Sequence, residues 1–192
     1  MTNQLLIRNR IAECNDGKHR SRNFENVDRL IVHRIGASLG ADGPTIAAAF
    51  RDQSRFAAGS YTGGEMPYHF VIRENGTVDQ CLTLGDNAPH ARRFNVSGLA
   101  VGVIGDFRRH APTPEQWQAL REFCGLWLLY GLDVYGHDEL PGGSKNPAKQ
   151  CPGRFLDLPT LRIEASSFAD NEAQALLQMS GICFSSGIFY AT

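Results

Sequence analysis

The sequence predicts an α/β fold, a mixed central β-sheet flanked by helices. Three observations carry this. The runs Arg29 to Ile35 (RLIVHRI) and Leu99 to Ile104 (LAVGVI) are apolar almost without interruption, as suits strands covered on both faces. Segments of helical character alternate with the strand-like runs, the pattern of helices packed on a sheet. Asn75-Gly76 sits between two further strand-like runs in YHFVIRENGTVDQCLTL and adds a hairpin, because this dipeptide accepts the positive backbone dihedrals of a tight turn.

Taken in order, residues 1–28 are polar and aperiodic after a short apolar start at Leu5 to Ile7, and read as an arm or an edge element. The strand at Arg29 to Ile35 follows and carries His33. A single histidine there is read either as a hydrogen-bonded structural group or as a ligand. In GADGPTIAAAFRDQSRF, Pro44 suits a first helical turn and Ala47 to Phe50 favour helix. Gly59 to Gly64 is loop-like. Tyr68 and His69 open the hairpin's first strand and point to opposite faces, so only one of them serves a given site. His69 is read as structural.

Residues 85–98 (GDNAPHARRFNVSG) have loop composition. After the strand at 99–104, Thr113-Pro114-Glu115-Gln116 spells a helix start, with Thr113 as N-cap, Pro114 at the first position and Gln116 completing a capping box. Trp117, Leu120, Cys124, Trp127 and Leu128 then recur at helical spacing and form a core face, on which the two tryptophans are anchors. Gly131 ends the helix. Leu132 to Tyr135 reads as a strand delivering His137. Beyond LDLPTLRI a short helix is expected at Asn171 to Met179, followed by the apolar tail SGICFSSGIFYAT. The expected organisation is an arm at 1–28, one domain at 29–164 and a C-terminal extension at 165–192.

Composition narrows the function. A chain of 192 residues accommodates one domain with a sizeable core. A formal net charge of −1 lacks the basic stripe expected of a nucleic-acid binder. Five cysteines, widely scattered and odd in number, argue against a disulfide framework, and Cys14, Cys81, Cys124 and Cys183 read as core or incidental thiols. No apolar h-region opens the chain and no window reaches the ~18 apolar residues of a membrane span. A product made in the cytoplasm, without a signal peptide, is the expectation.

The stretch Gly136 to Phe155, GHDELPGGSKNPAKQCPGRF, carries the chemistry. His137 and Cys151 are zinc-type ligands on a loop rich in Gly and Pro that lets both turn toward one point. Two ligands make no site, since a catalytic zinc normally takes three protein groups and water.

The segments IVHR, PYHFVIRENGTV, PHARRFN, TPEQWQAL, YGHDEL and AKQCPGRF, in this order and at similar spacing over about residues 29–160, resemble the N-acetylmuramoyl-L-alanine amidase type 2 family, which shares its fold with phage T7 lysozyme and the peptidoglycan recognition proteins. The resemblance implies a zinc site of His33, His137 and Cys151, and a catalytic pair of Tyr68 and Lys149, the lysine standing two residues before the cysteine as in the T7-lysozyme-like branch. Three protein ligands leave the fourth position of a catalytic zinc open. The implied substrate is peptidoglycan or muropeptides, cut at the amide between N-acetylmuramic acid and L-alanine. His90 and Asn95 match positions on the loop lining the family's substrate groove, with Arg92 or Arg93 available to pair a stem-peptide carboxylate.

One departure stands out. Many relatives carry Glu where LAVGVIG has Gly102, which leaves the general base open; Asp138 and Glu139 lie close in sequence but read as solvated acids. The Lys149 match and Gly102 point to a phage or prophage endolysin-like enzyme, acting at the cell wall once released. The competing reading is a non-catalytic peptidoglycan-binding protein on the same fold.

Overall fold

The computed structural model describes residues 5–36, 40–51, 66–144 and 146–179, with side chains to residue 170. Its centre is a sheet of six described strands: β1 (Ile7–Asn9), β2 (Arg29–Ile35), β3 (Phe70–Ile72), β4 (Val78–Gln80), β5 (Gly98–Ile104) and β6 (Asp133–Gly136). Their spatial order is β1-β4-β3-β5-β2-β6. β3 and β4 pair antiparallel as the Asn75-Gly76 hairpin, with Gly76 at φ 78°; the other neighbours are parallel. The mixed sheet read from the sequence is therefore present. β1 is the edge strand at one side, so the apolar start of the chain joins the sheet directly.

Side-chain alternation along β2 and β5 divides the interior in two. Leu30 and Val32 of β2 and Leu99, Val101 and Val103 of β5 face one side. There they pack on α3 (Pro114–Leu129) and α4 (Leu158–Met179) through Leu120, Phe123, Trp127, Leu158, Leu161 and Ala165. Trp127 is fully buried, with Phe24, Phe70, Phe123 and Tyr130 as ring neighbours. The opposite face presents Ile35, Val71, Ala100 and Ile104 to α2 (Gly43–Arg51). His33 lies on this second face.

Helix α3 starts with the expected capping box. Thr113 Oγ1 accepts from Gln116 N at 3.1 Å, and Gln116 Oε1 accepts from Thr113 N at 3.1 Å. Gly131, at φ 79°, follows its end. The short helix expected at Asn171 to Met179 is the last part of α4, which begins at Leu158 and runs through residue 164 without a break. The amphipathic run begins inside LDLPTLRI, where Asp157 Oδ1 accepts from Thr160 N and caps it. α1 (Ile11–Cys14) is a single turn. Cys14, Cys81 and Cys124 are buried thiols, as expected. The loop at 59–64, the tail at 180–192 and Cys183 lie outside the described residues.

Candidate metal centre

Strand register creates the site. β2 and β6 run parallel with Val32 opposite Gly136, so the next residues, His33 still within β2 and His137 just past the end of β6, stand side by side. Their ring centroids are 4.6 Å apart. Cys151 arrives from the loop between β6 and α4, and its carbonyl accepts from Asp138 N at 2.8 Å, which ties the two ends of that loop together. The ligand atoms of His33, His137 and Cys151 all lie within 4.8 Å of one another.

This donor set fits a zinc ion. Bond lengths of about 2.3 Å to sulfur and 2.0–2.1 Å to nitrogen, at a tetrahedral angle, put the two ligand atoms about 3.6 Å apart. Cys151 Sγ and His33 Nδ1 are separated by 3.6 Å. Burial pushes the Cys151 thiol up to about 11. It holds the His33 imidazole well below its ordinary value, with His90 and His137 adding to the effect, and lowers that of His137 as well. Both imidazoles are thus neutral donors at pH 7, and the thiol is a group that a cation would ionise.

Tyr68 is nearly buried, its ring 5.5 Å from that of His33. It and His69 stand just before β3. Lys149 is exposed at the end of a 3-10 turn, Pro147–Lys149, two residues before Cys151. The carbonyls on either side of Lys149 are clamped, for Arg108 Nη1 donates to Ala148 O and Arg34 Nε donates to Gln150 O at 2.9 Å. Asp106 holds both arginines, accepting two bonds of 2.6 Å from Arg108 and lying 3.8 Å from Arg34. Its carboxyl is held well below the usual range, chiefly by the Arg108 hydrogen bond.

A carboxylate whose folded pKa is depressed contributes stability above its unfolded pKa of about 3.9, and that contribution is lost as pH falls through the folded value. Asp106→Asn is therefore expected to lower Tm at pH 7 and to flatten the decline of Tm below pH 4. Superimposable Tm-against-pH curves for variant and wild type would count against the clamp.

The loop residues divide into two groups. His90 and Asn95, placed at the substrate groove by the resemblance, are turned inward. His90 Nδ1 lies 3.1 Å from His33 Nε2 and its Nε2 lies 3.1 Å from Gly98 O, so both ring nitrogens are engaged within the protein. Asn95 is buried, and its Oδ1 accepts from Ala91 N at 2.7 Å, closing the loop on itself. Arg92 and Arg93 are exposed and, with Phe94, His137, Leu140 and Gly143, line a pocket of about 260 Å³ beside the His33, His137 and Cys151 cluster. His69 is structural, its Nδ1 accepting from Ala100 N at 3.0 Å. Glu139 is bound by Gly136 N and Arg162.

Gly102 pairs with His33 in the sheet. A Cβ there would meet Ile35 Cγ1 at 2.8 Å and the Tyr68 ring at 3.1 Å, so the space for a larger side chain is already filled. Gly102→Glu is expected to destabilise by about 1–3 kcal/mol through overpacking and to bring no gain in turnover. An unchanged melting temperature with faster hydrolysis would overturn this.

Sequence reasoning missed Arg22, Arg34, Asp106 and Arg108, which support the site from outside. Arg22, half-buried and set in the aperiodic first segment, donates to the carbonyls of Leu84, Asn95 and Gly98. No periodicity or motif marks such a residue, because these carbonyls lie more than sixty positions away.

Comparison with known proteins agrees with this architecture. One peptidoglycan-recognition protein of Drosophila simulans is 28% identical over 92 residues, 48% of this chain and 50% of that protein, so the match spans half of the relative's length. Peptidoglycan-recognition protein SD of the same organism is 26% identical over 127 residues, covering 66% of this chain and 67% of the relative. The fold superposes on the endolysin N-acetylmuramoyl-L-alanine amidase LysCS of Clostridium intestinale with a TM-score of 0.65, at 17% identity over 86% of this chain and 99% of that one. The N-acetylmuramoyl-L-alanine amidase sequence profile matches residues 23–154, from just after Arg22 through the loop that carries Cys151, and the chain belongs to that family.

Proposed function

We propose that this protein is a zinc-dependent N-acetylmuramoyl-L-alanine amidase of the endolysin type, hydrolysing the amide between the lactyl group of N-acetylmuramic acid and L-alanine in peptidoglycan. The observation that carries the reading is the convergence of two neutral imidazoles and one thiol at the rim of a groove lined by two exposed arginines. His33, His137 and Cys151 would hold the zinc ion, which when bound would supply a Lewis acid for the amide carbonyl and lower the pKa of water toward neutrality. Hydrolysis of an amide builds negative charge on the carbonyl oxygen, and hydrogen-bond donors kept in place before the reaction stabilise it. Tyr68 supplies a phenol and Lys149 an ammonium for that purpose. With Gly102 in place of a carboxylate, these two side chains also handle the protons. Arg92 and Arg93 suit the carboxylates of a stem peptide, which a guanidinium grips through two parallel bonds.

The test is incubation of the zinc-loaded protein with sacculi and with soluble muropeptides, followed by mass spectrometry. The expected products are glycan with a free lactyl carboxyl and peptide with a free amino-terminal L-alanine. Release should stop with chelator and return with zinc. Arg92→Ala and Arg93→Ala should each raise KM by a few-fold to about tenfold, the range of a partly exposed charged hydrogen bond. Tight retention on peptidoglycan with no new termini would instead mark a binding protein, the property that the names of the two Drosophila relatives describe.

A further inference from the structure

His90 has two engaged ring nitrogens and no part in the chemistry above. Its Nε2 faces the carbonyl oxygen of Gly98, which only accepts, so Nε2 carries the proton. A neutral imidazole holds one such proton, which leaves Nδ1 bare and able only to accept. The atom facing Nδ1, His33 Nε2 at 3.1 Å, must then be the donor. His33 in its turn has one proton, and with Nε2 carrying it, Nδ1 keeps its lone pair. Nδ1 is the atom 3.6 Å from Cys151 Sγ. One backbone carbonyl thus fixes the protonation of two rings in series and ends on a free lone pair aimed at the cluster.

The surroundings keep the relay in this state. His33 and His90 are both buried, so water does not take the place of either ring's partner. Arg22 Nη1 also donates to Gly98 O, at 2.5 Å, so a fixed side chain anchors the carbonyl that His90 faces. Gly98 has no side chain for a geometric reason. A Cβ there would meet His90 Cε1 at 3.1 Å, Phe94 O at 2.8 Å and Ile31 Cδ1 at 2.6 Å, and would push the ring off its acceptor.

We propose that His90 is a positioning residue which, through the Gly98 carbonyl, locks His33 in the tautomer with a bare Nδ1 and thereby sets the metal affinity of the centre. The proposal rests on the metal reading above. Outer partners that orient a ligating histidine are typically worth ~10–100-fold in metal affinity. Loss of the His90 acceptor lets His33 exchange its proton to Nδ1, and the metal then competes with that proton.

The test uses zinc-free protein titrated with zinc against a chromophoric chelator. His90→Phe, which keeps a flat ring but has no acceptor, is expected to weaken zinc binding by ~10–100-fold. His90→Asn, whose Oδ1 lies near the position of Nδ1, should stay within a few-fold of wild type. Equal zinc affinity for His90→Phe and wild type overturns the proposal, as does equal weakening by Phe and Asn. A wild type that binds no zinc overturns the metal reading together with this one, whereas tight binding indifferent to His90→Phe overturns this one alone. Imidazole nitrogen NMR of the zinc-free wild type needs no variant and decides the matter even where His90→Phe fails to fold. Protonation of His33 at Nε2 supports the relay, and protonation at Nδ1 overturns it.

Discussion

Cys151→Ser is expected to abolish amide hydrolysis and to empty the metal centre while leaving the fold intact. A serine hydroxyl does not ionise near neutral pH and is not among the usual zinc ligands. The loop does not depend on the sulfur, since Asp138 N donates to the Cys151 carbonyl and Arg34 Nε to the Gln150 carbonyl, both of them main-chain acceptors. Zinc per chain should fall from one to near zero, and cleavage of muropeptides to the chelator-treated background. Tyr68→Phe and Lys149→Ala separate the roles, because each should keep its zinc and lose ~10²–10³ in kcat, the usual cost of one preorganised donor at a developing oxyanion. Metal analysis and turnover, measured on the same preparations, check all three. A Cys151→Ser protein that digests muropeptides as well as wild type does would remove the metal from the mechanism.

Trp127→Ala should be the most damaging single truncation in the core. The indole is fully buried among four aromatic rings on the sheet face away from His33. Its removal leaves a cavity that rigid neighbours close only in part, at a cost of about 3–5 kcal/mol. For a chain of this size that is a Tm decrease of ~6–20 °C. Trp127 Nε1 finds no acceptor among the described residues, so Trp127→Phe both deletes a buried unpaired donor and leaves a smaller void. The phenylalanine variant should therefore melt well above the alanine one. Differential scanning calorimetry checks the ranking, and a loss under about 2 °C for Trp127→Ala would contradict the packing argument. Zinc content at room temperature should not change in either variant.

The legible parts of this protein are those written locally. The Asn75-Gly76 turn, the Thr113 capping box and the apolar runs of β2 and β5 are decided by neighbours a few positions apart, and they stand where the sequence puts them. The convergence of His33, His137 and Cys151 is reached through the resemblance, which encodes long-range geometry that spacing alone does not. His90 shows the limit of that route. A motif places it on a groove-lining loop, yet the direction of its ring depends on Gly98 and Arg22, which no short pattern includes. The continuity of α4 through residue 164 is hidden in the sequence because the polar residues Glu164, Ser166 and Ser167 interrupt its apolar pattern, while packing of Leu161 and Ala165 on α3 keeps the helix in one piece.

The parallel pairing of β2 with β6 also has a kinetic side. His33 and His137 are roughly a hundred residues apart and become neighbours only when Val32 and Gly136 are in register. A slip of one residue would turn His33 to the α3 side, since successive side chains alternate between faces. Closing so long a loop costs entropy before the contact rewards it, which makes pairings of this range intrinsically slow to form. An ion held by both imidazoles would have nothing to grip until that pairing is made. Such a grip would act on the exit from the native state, slowing unfolding and leaving the folding rate nearly unchanged.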